Sequence, residues 1–118
     1  MLVLLHEEAG ADEVEAALDG AAISCVNLSE VLQKAEQHNV DTEGLEFDLQ
    51  GLGVRLYDFD SRSARDAAEL WPITRRLGLS LGDRACLALA RSLGGVAVTT
   101  DKRWAELDTT GVSIEVVR

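Results

Sequence analysis

The stretch from Leu79 to Ala90, Leu-Ser-Leu-Gly-Asp-Arg-Ala-Cys-Leu-Ala-Leu-Ala, constrains the fold more than any other. It is apolar almost all round, whereas a surface helix would show a polar face at a period near 3.6. One stripe runs through Leu81, Ala85, Ala88 and Leu89 and a second through Cys86, Leu87, Ala90 and Leu93, so this helix belongs between other layers. Its first turn carries one carboxylate, Asp83. Ser80 and Asp83 have the spacing of a capping box, in which the acid bonds only backbone N–H groups. Beside the positive end of the helix dipole, the same acid can also stay ionised and hold a cation. Capping is the commoner use of a lone acid at a helix start.

With 118 residues, 47% of them hydrophobic, residues 1–118 read as a single globular domain. No apolar run approaches the roughly 20 residues that a bilayer crossing requires. No signal peptide opens the chain either, so a cytoplasmic protein without membrane contact is expected. Cys25 and Cys86 stand in apolar surroundings without a CxxC or Cys/His cluster and read as core thiols of a reducing compartment. His6 and His38 have no partner at ligand spacing. The net charge of −10 argues against a simple nucleic-acid-binding module. Residues 1–50 hold 12 acids against one base, Lys34, whereas residues 51–118 hold nine acids and ten bases. A polyanion would therefore meet the second half, or a bound metal would supply positive charge. A basic protein partner is an equally natural use of the acidic half.

Along the chain, Met1 to Leu5 is a short apolar run that periodicity cannot assign to strand or helix. Ala11 to Leu18 reads as a helix stopped by Gly20. Ala21 to Val26 reads as a strand covered on both faces. Asn27 can cap a helix over 28–38, with Leu28, Val31, Leu32 and Ala35 as its apolar stripe and Glu30 in its first turn, off that stripe. A weaker helix spans 41–52 and a strand 54–57. Asp60 or Ser61 caps a helix reaching Leu77, bent near Trp71 by Pro72 and closed by Gly78. After the Leu79–Ala90 helix come a turn at Gly94-Gly95, a strand over 96–99, a short helix over 102–107 that Asp101 can cap, and a strand over 112–117. Strands alternating with helices predict an α/β fold, a Rossmann-like parallel sheet flanked by helices in three layers.

In such a sheet the ligand crevice lies outside the carboxyl ends of the strands. Glu30 follows one strand, Asp101 follows another, and Asp83 heads the helix before the latter, so all three can reach one edge. Three carboxylates around one crevice repel, and a hard divalent cation such as Mg²⁺ or Mn²⁺ neutralises them. Such a cation generates a hydroxide-like nucleophile and stabilises charge on a phosphodiester. Caps and ligands remain compatible, since a first-turn side chain can be either.

These residues also carry a family resemblance. Val26-Asn27-Leu28-Ser29-Glu30-Val31, Leu81-Gly82-Asp83-Arg84-Ala85 and Val98-Thr99-Thr100-Asp101-Lys102-Arg103-Trp104 resemble, in order and spacing, the three acidic motifs of PIN domains. The nearest subgroup is the VapC-type ribonuclease toxins of toxin-antitoxin pairs. The resemblance implies a PIN fold, Mg²⁺- or Mn²⁺-dependent endoribonuclease activity on RNA, a cognate antitoxin partner and commonly a homodimer. It makes Glu30, Asp83 and Asp101 metal ligands and Thr99 a supporting hydroxyl near metal or substrate. Arg84, Arg91, Lys102 and Arg103 flank that site as candidate RNA phosphate contacts, with Arg75 and Arg76 further off.

PIN domains open with a central strand ending in an acid. In this chain Met1 to Glu8 resembles the helix that follows, so the expectation is that the strand and its Asp lie upstream of Met1, through a late-assigned start or a truncated gene. If the run instead fills the strand slot, helix one is lost and His6 or Glu7 falls near the crevice. The position of Arg103, where many members carry a further acid, holds a base. The missing acid motivates a second reading, a catalytically impaired PIN-like protein that binds an antitoxin or itself. A phosphoacceptor receiver domain using Asp58 or Asp60 is disfavoured, because the acidic pair and lysine it needs are missing.

Overall fold

A computed structural model describes residues 2–4, 20–107 and 111–117. Among the described residues, five parallel strands form the sheet: β1 (Leu2–Leu4), β2 (Ala21–Ser24), β3 (Arg55–Tyr57), β4 (Val96–Thr99) and β5 (Ser113–Val116). Their order is β3-β2-β1-β4-β5. This overturns the expectation that Met1 to Leu5 is a helix and that the N-terminal strand is absent. Leu2 lies opposite both Ala21 and Val96, and Val3 opposite both Ala22 and Ala97, which makes β1 the central strand. The reason is tertiary. A run this short has no decisive period, but β2 and β4 each offer a backbone edge whose N–H and C=O groups need a partner. The helix expected over 11–18, and His6 and Glu7, lie outside the described residues.

Five α-helices are described: α1 (Cys25–Gln37), α2 (Leu45–Gly51), α3 (Ser61–Glu69), α4 (Trp71–Thr74) and α5 (Leu81–Leu93). Two 3₁₀ helices, Arg75–Leu77 and Lys102–Glu106, complete them. The boundaries follow local chemistry. The Ser24 hydroxyl accepts the Val26 N–H at 3.2 Å and caps α1, so β2 ends and the helix begins earlier than expected, and Asn27 lies inside α1 rather than at its cap. The helix expected over 41–52 shortens to α2, because Asp41 accepts the Glu43 N–H at 2.9 Å in a turn. Asp60 caps α3 as expected, accepting the Ser63 N–H at 2.9 Å. Pro72 stands at the start of α4, where its missing N–H costs no helical bond, and the long helix breaks at Leu70.

Side chains on the two faces of the sheet enter two cores. Ala22 and Ala97 join α3, α5, Trp104 and Leu107 in the larger one. Ala21, Ile23 and Val98 join Leu28, Val54, Leu32 and Leu49 in the other. This alternation is the period of a strand with both faces covered. Helix α5 packs against α3 and α1 and across β1, β2 and β4. Ala85, Cys86, Leu87, Ala88 and Ala90 are all buried, so the expected central helix is present. Leu81 departs from its stripe, at 49% exposure in the first helical position.

Candidate functional site

All three candidate acids sit toward the carboxyl edge of the sheet. Thr99 ends β4, and Asp101 follows it as cap of the 3₁₀ helix, accepting the Arg103 N–H at 2.9 Å. Ser24 ends β2, and Glu30 lies on the second turn of α1. Helix α5 leads into β4, so its first turn, with Asp83, starts from the same edge.

Glu30 is held against the first turn of α5, which carries Asp83, by two residues that the sequence reading did not name as site residues. Asn27 is 1% exposed, and its Nδ2 donates to Glu30 Oε1 at 3.1 Å and to the Gly82 carbonyl at 3.0 Å. It therefore ties α1 to the first turn of α5 and fixes the Glu30 carboxylate against Gly82. A Cβ on Gly82 would come within 2.6 Å of the Glu30 Cδ, so a larger residue there would push the Glu30 carboxylate out of this position. Asn27 Oδ1 is buried with no hydrogen-bond partner among the described residues. The signal for Asn27 was its spacing from Glu30: residues three apart share a helix face.

Asp83 completes the capping box. Its Oδ2 accepts the Ser80 N–H at 2.8 Å, and its own N–H donates to Ser80 Oγ at 3.2 Å. The cap is real, and the carboxylate remains partly exposed with one oxygen unassigned to it. Cys86 reports on both acids. Its thiol is pushed far above the ordinary range, first by burial and then by the charges of Asp83 and Glu30. The two carboxylates thus act on the same point of α5.

Asp101 is engaged differently. Arg103 Nε donates to its Oδ1 at 3.0 Å and Oδ2 at 3.1 Å, and Nη2 lies 2.5 Å from Oδ2. This guanidinium is the main reason that the Asp101 carboxyl titrates below the usual carboxylate range, with burial opposing it. The Arg103 pKa is raised mainly by Asp101 and further by Asp83, so these two acids share the field of one cation. Arg103 Nη1 also donates to the Leu77 carbonyl, in the segment that leads into α5. The buried Thr99 hydroxyl accepts the Asp101 N–H at 3.0 Å and orients the turn that carries the acid. Among the described residues, no three Asp, Glu, His or Cys side chains gather closely enough to hold a metal ion. The donors are nonetheless all carboxylate oxygens, the chemistry that suits Mg²⁺ or Mn²⁺.

The basic residues divide. Lys102 is exposed beside Asp101, and Arg103 is on Asp101. Arg84 is half-buried and donates to the Ala67 carbonyl at 3.3 Å, which ties α5 to α3. Arg91 lies eight residues beyond Asp83 in the last turn of α5, about 12 Å further along the helix at 1.5 Å per residue. Arg75 stacks 5.0 Å over the Trp71 ring, and Arg76 pairs with Glu106 at 3.4 Å. Both thiols are free, Cys86 buried and Cys25 half-buried.

A five-stranded parallel sheet whose central strand is first in the chain, with acids toward its carboxyl edge, defines a Rossmann-like class of α/β domain. Residues 1–109 match the PIN domain, and the chain belongs to that family. PIN domains are typically dependent on divalent metals, and toxins of the family are generally nucleases. No curated protein sequence matches the chain. Among solved structures, it resembles a toxin-antitoxin complex from Klebsiella pneumoniae, with 19% identity over 94% of this chain and 93% of that one and a TM-score of 0.69. VapBC2 from Rickettsia felis, bound to a DNA fragment from its promoter, gives 14% identity over 98% of each chain and a TM-score of 0.65. FitAcB from Neisseria gonorrhoeae gives 19% identity over 97% and 96%, with a TM-score of 0.67. At these identities the likeness is one of fold. No helix among the described residues is long and apolar enough to cross a membrane.

Proposed function

We propose that this chain is a VapC-type toxin, a cytoplasmic Mg²⁺- or Mn²⁺-dependent endoribonuclease held in check by a cognate antitoxin and acting as a homodimer. The observation that carries the reading is the buried Asn27 bridge, which fixes Glu30 against Gly82, the neighbour of Asp83. A buried polar side chain spent on orienting a carboxylate is hard to explain by helix capping, because Ser24 already caps α1 and Ser80 with Asp83 already caps α5.

Glu30, Asp83 and Asp101 would hold the cation. When bound, it supplies water of lowered pKa and charge stabilisation on the phosphodiester. The chain itself does the positioning: Asn27 orients Glu30, Ser80 holds one oxygen of Asp83, and Thr99 sets the turn that presents Asp101. Lys102 offers an exposed positive charge to an RNA phosphate beside these acids. For a protein partner, the exposed apolar side chains Val40, Phe47 and Leu52 stand among Asp41, Glu43, Glu46 and Asp48. A partner segment that is both apolar and basic suits that stretch.

The test is incubation of the purified chain with RNA and Mg²⁺ or Mn²⁺, with and without EDTA. Internal cleavage that EDTA abolishes is the expected result. RNA left intact with either ion would overturn the nuclease reading and favour an antitoxin-binding or self-associating module, a reading that the Arg103 clasp on Asp101 independently supports.

A further inference from the structure

We propose that Arg103 is a resident cation of the carboxylate site, and that a divalent ion must displace its guanidinium from Asp101 in order to bind. The inference rests on the reading of Asp101 as a metal ligand. Its basis is geometric. Both Asp101 oxygens are engaged by the Arg103 side chain, Oδ1 by Nε and Oδ2 by Nε and Nη2. The Arg103 backbone N–H also takes Oδ1, so the acid is held at both ends of one residue. A planar guanidinium matches a carboxylate in two parallel bonds, the arrangement in which arginine binds acids best.

The side chain reaches further than the acid it grips. Its Nη1 donates to the Leu77 carbonyl, across 26 positions of sequence, and passes 3.9 Å from the place where a Gly78 Cβ would stand. Arg103 thus spans from the turn after β4 to the segment that leads into Asp83. One monovalent charge partly offsets the carboxylates that a divalent ion would otherwise neutralise. The Arg103 side chain is 51% exposed and that of Asp101 27% exposed, so the displaced guanidinium has solvent to move into. An ion pair this exposed is weak enough to yield, yet it must be broken for both Asp101 oxygens to become free.

Removing a merely structural side chain lowers stability and leaves metal affinity unchanged or worse. Removing a competitor raises metal affinity whatever it does to stability.

The experiment is Mn²⁺ titration of the whole chain by electron paramagnetic resonance, comparing the parent with Arg103→Ala and Arg103→Lys, alongside thermal melts that confirm folding. Arg103→Ala is expected to tighten Mn²⁺ binding about tenfold. Arg103→Lys, which keeps a charge but loses the fork, is expected to fall between it and the parent. Equal or weaker binding in both folded variants would overturn the displacement role while leaving the metal site itself intact. Absence of Mn²⁺ binding in the parent and both variants would overturn the metal reading and this inference together.

Discussion

Asp83→Asn is expected to lower divalent-dependent RNA cleavage about 100-fold or more, the effect of losing a few kcal/mol of transition-state stabilisation. The substitution separates the two uses of this residue. An asparagine oxygen can still accept the Ser80 N–H that Asp83 accepts at 2.8 Å, and the Ser80 hydroxyl can still receive the N–H of residue 83. The cap therefore survives and only the charge is lost. A cleavage assay with the folded variant decides: near-parental activity would mean that Asp83 is a cap and nothing more.

Trp104→Ala is expected to produce the largest loss of stability, about 3–5 kcal/mol. Trp104 is 0% exposed and sits in the larger core with Leu70, Leu79, Leu87 and Leu107. That loss is a large part of the roughly 5–15 kcal/mol that holds a domain folded. Trp104→Phe should cost much less, because its ring keeps most of the core packing and the indole N–H that it gives up has no partner among the described residues. Urea denaturation of the two variants checks both halves of the expectation. Equal losses would mean that a phenyl ring recovers none of the packing that the indole makes in this core. The same region carries Asp101 and Arg103, so Trp104 also anchors the turn that presents them.

The sequence made some of this architecture legible and hid the rest for identifiable reasons. Punctuation was readable where a side chain or a glycine has one local use. Ser80 with Asp83, Asp60, Asp101, Gly78 and Gly94 all terminate elements as expected, with Gly78 at φ 66° and Gly94 at φ 63°. The buried helix from Leu81 to Leu93 was readable because it lacks a polar face. The central strand was not. Leu2–Leu4 gains its identity from β2 and β4, which pair with it from positions far along the chain. Alternation of strands and helices likewise implies a parallel sheet without giving the order β3-β2-β1-β4-β5. Within the site, the acids were visible as types at a spacing, but their partners were not. Asn27 looked like a cap because Asn commonly is one. Only the earlier start of α1 at Cys25 turns it inward to Glu30 and Gly82. Arg103 looked like a phosphate contact, and its hold on Asp101 depends on a turn that composition cannot reveal. Arg84 and Arg91 also stood near the acids in sequence, yet one ties α5 to α3 and the other lies in the helix's last turn.

Glu30, Asp83 and Asp101, whose side chains do not gather closely as they stand, are proposed to converge on one divalent cation rather than to make three unrelated local contacts. The most direct test is Mn²⁺ stoichiometry and affinity for the parent and for Glu30→Gln, Asp83→Asn and Asp101→Asn taken singly, each confirmed folded by its melt. One bound ion in the parent, with affinity sharply reduced by every one of the three changes, is the predicted result. Parental Mn²⁺ binding in the variants, or none in the parent, would contradict it.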